Sequence, residues 1–133
     1  MATIRDVMST ELVVVPPTAT IAEAATAMGA RTVGSALVMD GETLLGVFTE
    51  RDVVRAVAQH FDGSEHQVHL WMTREPVTIG PDADVTEALA IMLDQGFRHL
   101  PVMEGGKLIG MASMRDLQPA PSRRRSAAPP AGS

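Results

Sequence analysis

The feature that most constrains this chain is an internal duplication. Sliding the sequence against itself by 64 positions places Met8 on Met72, Glu11 on Glu75, Val13 on Val77, Pro17 on Pro81 and Ala19 on Ala83. The match continues without a gap. Glu23, Ala24 and Met28 meet Glu87, Ala88 and Met92, and Val38-Met39 meets Val102-Met103. Gly41, Leu44 and Gly46 meet Gly105, Leu108 and Gly110, and Arg51-Asp52 meets Arg115-Asp116. A unit of about fifty residues is near the lower limit for building its own core, so the two copies are expected to pack on each other. The sequence divides into a first copy over 4–61, a linker over 62–69, a second copy over 70–118 and a tail over 119–133.

Each copy reads in the same order. A short β-branched run, Val13 to Val15 or Val77 to Ile79, is closed by Pro17 or Pro81, as a strand and its stop would be. Ile21, Ala24, Ala25 and Met28 then form an apolar helical stripe, repeated as Val85, Ala88, Leu89 and Met92. Thr20 with Glu23, and Asp84 with Glu87, have capping-box spacing. Two apolar runs follow around a glycine turn: Leu37 to Met39 and Leu44 to Phe48 around Asp40-Gly41, then Pro101 to Met103 and Leu108 to Ala112 around Gly105-Gly106. Each pair predicts a hairpin. A last helix is predicted from Glu50 to about Phe61, with Val53, Val54 and Val57 turned inward. Its counterpart starts at Met114 and meets Pro119 and Pro121, which limits it to about one turn. The expected fold is α/β: two β-α-β-β-α units with their helices on one face and their sheets packed together in pseudo-twofold symmetry.

Composition narrows the function classes. Of 133 residues, 45% are hydrophobic and 20% charged, which suits a globular chain. The net charge of −5 gives no footprint for nucleic acid. The absence of cysteine excludes disulfides, thiolate metal sites and cysteine nucleophiles. No signal-peptide core or membrane-length apolar run is present, so a cytoplasmic protein is expected. His66 and His69 are close in sequence but lack partners at ligand spacing, so no metal site is expected. The methionines fall on the apolar stripes. The tail, including Arg123 to Arg125, reads as disordered. No nucleophile–base–orienter set, Walker loop or acid/base pair is evident, so neither catalysis nor a required cofactor is expected.

One motif carries chemistry in both copies. Gly46-Val47-Phe48-Thr49-Glu50-Arg51-Asp52 and Gly110-Met111-Ala112-Ser113-Met114-Arg115-Asp116 both fit G-x-x-[ST]-x-x-D. The hydroxyl falls where a strand ends, and the carboxylate falls one helical turn later. Such a carboxylate can accept both hydrogen bonds of a vicinal diol, and the adjacent helix N-terminus suits a phosphate. The same residues also fit a capping box that needs no ligand, and the two roles are compatible. Glycine before each hydroxyl leaves room for a closely approaching ligand.

With the openings Met8-Ser9-Thr10 and Met72-Thr73-Arg74 and the run Arg98-His99-Leu100-Pro101-Val102, the chain resembles a tandem pair of CBS domains, the regulatory modules named after cystathionine β-synthase. The resemblance implies a stand-alone sensor. It would hold an adenine nucleotide or adenosyl metabolite (AMP, ADP, ATP or S-adenosylmethionine) in clefts between the copies, associate as a homodimer and act on an effector protein. It also implies two ligand sites. The first would combine Gly46, Thr49 and Asp52 with Val77, Thr78, Arg98, His99, Leu100 and Pro101. The second would combine Gly110, Ser113 and Asp116 with Val13, Val14, Gly34, Ser35 and Ala36. Arg98-His99 aligns with Gly34-Ser35, so a cation for a phosphate is expected at the first site only, making the Asp52 cleft the better nucleotide site. A scaffold with vestigial clefts is the alternative.

Overall fold

The computed structural model of the chain describes residues 2–59 and 65–117. The helix end expected at Phe61, the start of the linker (62–64) and the 119–133 tail lie outside the described residues. The first copy comprises β1 (Val14–Val15), α2 (Ile21–Arg31), β2 (Ser35–Asp40), β3 (Thr43–Thr49) and α3 (Glu50–Ala58), preceded by a short α1 (Ile4–Val7). A 3-10 turn (Val68–Leu70) and β4 (Thr73–Arg74) lead into α4 (Val85–Gln95), β5 (His99–Glu104), β6 (Lys107–Ser113) and α5 (Met114–Leu117).

The hairpins form where the turn glycines place them, with Gly41 and Gly105 at φ 60° and 59°. Leu37 faces Val47 in one and Pro101 faces Met111 in the other, and both ladders shift register at equivalent places, after Val38 and after Val102. β1 runs parallel to β2, as a strand–helix–strand crossover requires. In the second copy the expected strand over Val77 to Ile79 shrinks to a single parallel bridge from Ile79 to Val102. Pro76 and Pro81 flank it and have no N–H to extend the ladder. Thr20 and Glu23 form the expected capping box at α2. Asp84 instead accepts from the Thr86 N–H at 2.8 Å, without Glu87.

Each copy is completed by the segment that precedes the other. Ile4 is fully buried among Ala88, Met92, Leu100 and Val102 of the second copy. Val68, which the sequence reading assigned to a polar linker, is fully buried among Ala24, Met28, Val38 and Phe48 of the first. Burying such a side chain stabilises by roughly 1.5–3 kcal/mol. The two anchors are held alike: the Ile4 N–H donates to the Ala83 carbonyl at 2.9 Å, and the Val68 N–H to the Ala19 carbonyl at 2.8 Å. The following residues then cross to the last strand of the hairpin. β4 pairs antiparallel with β3, with Thr73 opposite Val47, and Ser9 bridges Met111 in the same way.

This crossing explains the glycines of the repeated motif. A Cβ on Gly46 would lie 2.6 Å from both the Met72 Sδ and the Thr73 carbonyl oxygen. On Gly110 it would lie 2.6 Å from the Met8 Sδ and 3.0 Å from the Ser9 carbonyl oxygen. The space that sequence reasoning reserved for a ligand beside these glycines is filled by the crossing chain. Behind it Leu37, Val47 and Met111, with Leu12, Met39, Leu44 and Leu108, pack the two sheets together.

α3 corrects a second expectation. Val54 and Val57 are each 65% exposed, whereas Asp52 and Ala56 are buried and Val53 is half-buried. The helix is rotated by about one residue from the apolar reading because the Asp52 side chain turns back to cap it.

Candidate functional site

The G-x-x-[ST]-x-x-D motifs occupy equivalent places but different environments. Thr49 ends β3, and Asp52 lies in the first turn of α3 with 4% of its surface exposed. Its Oδ2 accepts from the Thr49 N–H at 2.9 Å and from the Thr49 hydroxyl at 3.2 Å. The Asp52 N–H donates to the Thr49 Oγ1 at 3.4 Å, closing the capping box. The other oxygen, Oδ1, accepts from an Arg55 guanidinium nitrogen at 2.8 Å. That guanidinium lies 5.5 Å from the Trp71 ring centroid, within cation–π range. Asp52 is thus enclosed and engaged through both oxygens.

The expected partners of the first cleft meet Thr49 only in part. Val77, Arg98 and His99 approach it, and with Val47, Thr73, Pro76 and Phe97 they leave a cavity of about 40 Å³. That volume accommodates about a water molecule. Asp52 does not line it, nor do Gly46, Thr78, Leu100 or Pro101. Leu100 and Pro101 are fully buried, and Thr78 is exposed.

The second cleft is open. A cavity of about 900 Å³ is lined by Val13, Gly34 and Ser35 from the first copy and by Met111, Ser113 and Asp116 from the second. This is near the upper end of roughly 300–1,000 Å³ usual for small-molecule sites. Of the expected residues, Val14, Ala36 and Gly110 do not line it. Ala36 is fully buried, and Gly110 is covered by Met8. Ser113 ends β6 and accepts from the Asp116 N–H at 3.3 Å. The Asp116 carboxylate does not bond back, and among the described residues it has no hydrogen-bond or ion-pair partner. In the 64-residue register Arg55 corresponds to Pro119 and Trp71 to Val7, so the second copy lacks the side chains that enclose Asp52.

Arg98 and His99 line this larger cavity as well as the small one. The expectation that they would serve the first cleft alone is corrected by their place between the copies. Glu11, Glu50 and Arg115 also line the large cavity, and sequence reasoning did not select them. The register held a signal for Glu50, since its counterpart is the apolar Met114. Burial pushes the His99 imidazole below its ordinary value; the Glu50 carboxylate opposes this, Arg98 reinforces it, Asp116 opposes it and Arg115 reinforces it. His99 therefore faces charges from both copies.

The second cleft combines a carboxylate free to accept a diol, guanidinium groups that can meet a phosphate, and an apolar wall of Val13, Met28, Val33 and Leu37 that can take a flat ring. Among the described residues there is no cluster of His, Asp or Glu able to hold a metal ion. No helix among them is long and apolar enough to cross a membrane.

Similar proteins share this fold. A 17.7 kDa protein of Acidianus ambivalens is 42% identical over 120 residues, spanning 88% of this chain and 72% of its own length. The crystal structure of a CBS-domain protein from Agrobacterium tumefaciens superposes with a TM-score of 0.82 at 33% identity, covering 87% of this chain and 96% of that one. A CBS-domain protein from Pyrobaculum aerophilum, solved in complex with AMP, superposes with a TM-score of 0.82 at 29% identity, covering 96% and 100% of the two chains. Residues 4–59 and 67–121 each match the CBS domain. With both copies matched and the fold shared, this chain belongs to the CBS-domain family as a tandem pair.

Proposed function

We propose that this chain is a regulatory module that binds an adenine nucleotide or adenosyl metabolite in the Asp116 cleft and has no catalytic step of its own. The observation that carries this reading is the cavity of about 900 Å³ walled by both copies, with the unengaged Asp116 carboxylate at its edge. Asp116 accepts the ribose hydroxyls, Ser113 and the start of α5 adjoin them, and the base lies against the apolar wall. The AMP complex of the Pyrobaculum aerophilum relative supports the ligand class.

Signalling follows from the cleft's position. A ligand that touches both copies favours one arrangement of them over another, by as much as its affinities for the two differ. A dimer partner or an effector protein in the cytoplasm reads that change. Val54, Val57, Leu70 and Leu93, all exposed apolar side chains, support association as a homodimer. The net charge of −5 argues against nucleic acid as the partner. A scaffold role with vestigial clefts suits the filled first cleft but leaves the second unexplained.

Thermal unfolding against AMP, ADP, ATP, NAD and S-adenosylmethionine tests the reading. A compound at one hundred times its Kd should stabilise the fold by about 2.7 kcal/mol, raising Tm by about 8–13 °C for a chain of this length. No rise with any of them at millimolar concentration would leave the scaffold role standing.

A further inference from the structure

The charged groups around the large cavity are arranged in a way the shared motif does not require. Glu11, Glu50 and Asp116 line it together with Arg98 and Arg115, so carboxylates outnumber guanidiniums. Among the described residues none of these five enters a salt bridge. His99, held toward its neutral form by burial, adds no dependable positive charge.

Glu50 is the member most specific to this cleft. It opens α3, and its N–H donates to the Gly34 carbonyl at 3.0 Å. Its side chain lies over Gly34 so closely that a Cβ there would stand 2.9 Å from the Glu50 Oε1. At the equivalent place in the second copy, Met114 donates its N–H to the Arg98 carbonyl at 2.8 Å. The duplication has therefore set a carboxylate over a glycine on one wall, where the equivalent position on the other carries an uncharged methionine. Glu50 also counters the effect of burial on His99, and it lines the same cavity as the guanidiniums of the second copy.

We infer that Glu50 makes the Asp116 cleft selective by charge, admitting adenosyl ligands with at most one phosphate or with a cationic substituent and rejecting di- and triphosphates. The inference rests on the adenosyl reading of the same cleft. Asp116 is used by the ribose, which leaves Arg98 and Arg115 opposed by Glu50 and Glu11. One phosphate can be met by the two guanidiniums. A second or third phosphate brings further negative charge against the two acids with no cation left to meet it. A sulfonium or ammonium group finds those acids favourable.

Calorimetric titration of the full chain with AMP, ADP, ATP and S-adenosylmethionine tests this, using wild type, Glu50→Met (the residue of the second copy) and the isosteric Glu50→Gln. Wild type should bind AMP and S-adenosylmethionine more tightly than ATP. Both variants should improve ATP affinity by about tenfold, the effect of removing one unit charge a few ångströms away in a partly solvated cleft. AMP should change less, and S-adenosylmethionine should weaken. ATP bound tightest by wild type, or all ligands shifted by one common factor in both variants, would overturn the inference while leaving the adenosyl reading intact. No binding of any of the four compounds to wild type or variants would overturn both.

Discussion

The two clefts differ by far more than the two sequence motifs that create them. Asp52 and Asp116 occupy the same position of the same repeat, one turn after a hydroxyl that ends a strand. One is buried and engaged by Thr49 and Arg55; the other is exposed, with an unengaged carboxylate. The cause lies outside the motif. Arg55 needs an α3 long enough to carry it and Trp71 to stack on, and α5 extends only from Met114 to Leu117 among the described residues. The same carboxylate serves as a structural cap where a helix and an arginine close over it. Where they are absent, it is available to a ligand.

The sharpest stability contrast lies at the crossing segments. Gly46→Ala puts a methyl group against the Met72 Sδ and the Thr73 carbonyl oxygen, and overpacking of this kind costs about 1–3 kcal/mol. Gly110→Ala should cost less, since the carbonyl of Ser9 is farther away than that of Thr73. Urea unfolding of the two variants measures this, and a larger loss at Gly110 would break the comparison. Asp52→Ala comes next, with a loss of about 1–2 kcal/mol from the missing cap. Asp116→Ala should lose only a few tenths, because its cap uses the backbone N–H and the Ser113 hydroxyl. Equal changes in Tm would mean that the two aspartates do the same structural work.

The smallest effect expected is a pH dependence at His99. Its folded-state value is depressed, so the unfolded chain takes up a proton that the folded chain refuses. The stability associated with the neutral ring is present above about pH 6.5, the unfolded value, and is lost as pH falls toward the lower folded value. Glu50 and Asp116 temper the shift, while Arg98 and Arg115 enlarge it. Tm measured between pH 7.5 and 5 should fall less steeply in His99→Gln than in wild type. Parallel profiles would remove His99 from the account.

Much of the fold was legible because its signals are local. The apolar stripes, the turn glycines and the capping box of Thr20 and Glu23 act within a few residues, and the hairpins and helices formed where they indicate. The crossing segments were not legible. Val68 looks like a single valine in a polar stretch, and only the distant core of the first copy explains its burial. The role of the motif glycines was hidden for the same reason, because the residues that require them, Met72 and Met8, approach from the other side of the repeat. The inward face of α3 was misread because valines indicate burial by composition, whereas the geometry of the cap turned Asp52 and Ala56 inward. The candidate site residues were recognisable by type, but which carboxylate stays free depends on Arg55, itself against the Trp71 ring, engaging one of them.

Calorimetric titration of AMP into wild type, Asp116→Ala and Asp52→Ala tests the central claim most directly. Wild type should show one site per chain. Asp116→Ala should weaken it by about a hundredfold, the loss of two hydrogen bonds to a charged acceptor. Asp52→Ala should keep the wild-type affinity despite its lower Tm. Two equivalent sites per chain, or a loss of affinity in Asp52→Ala that matches or exceeds that in Asp116→Ala, would contradict it.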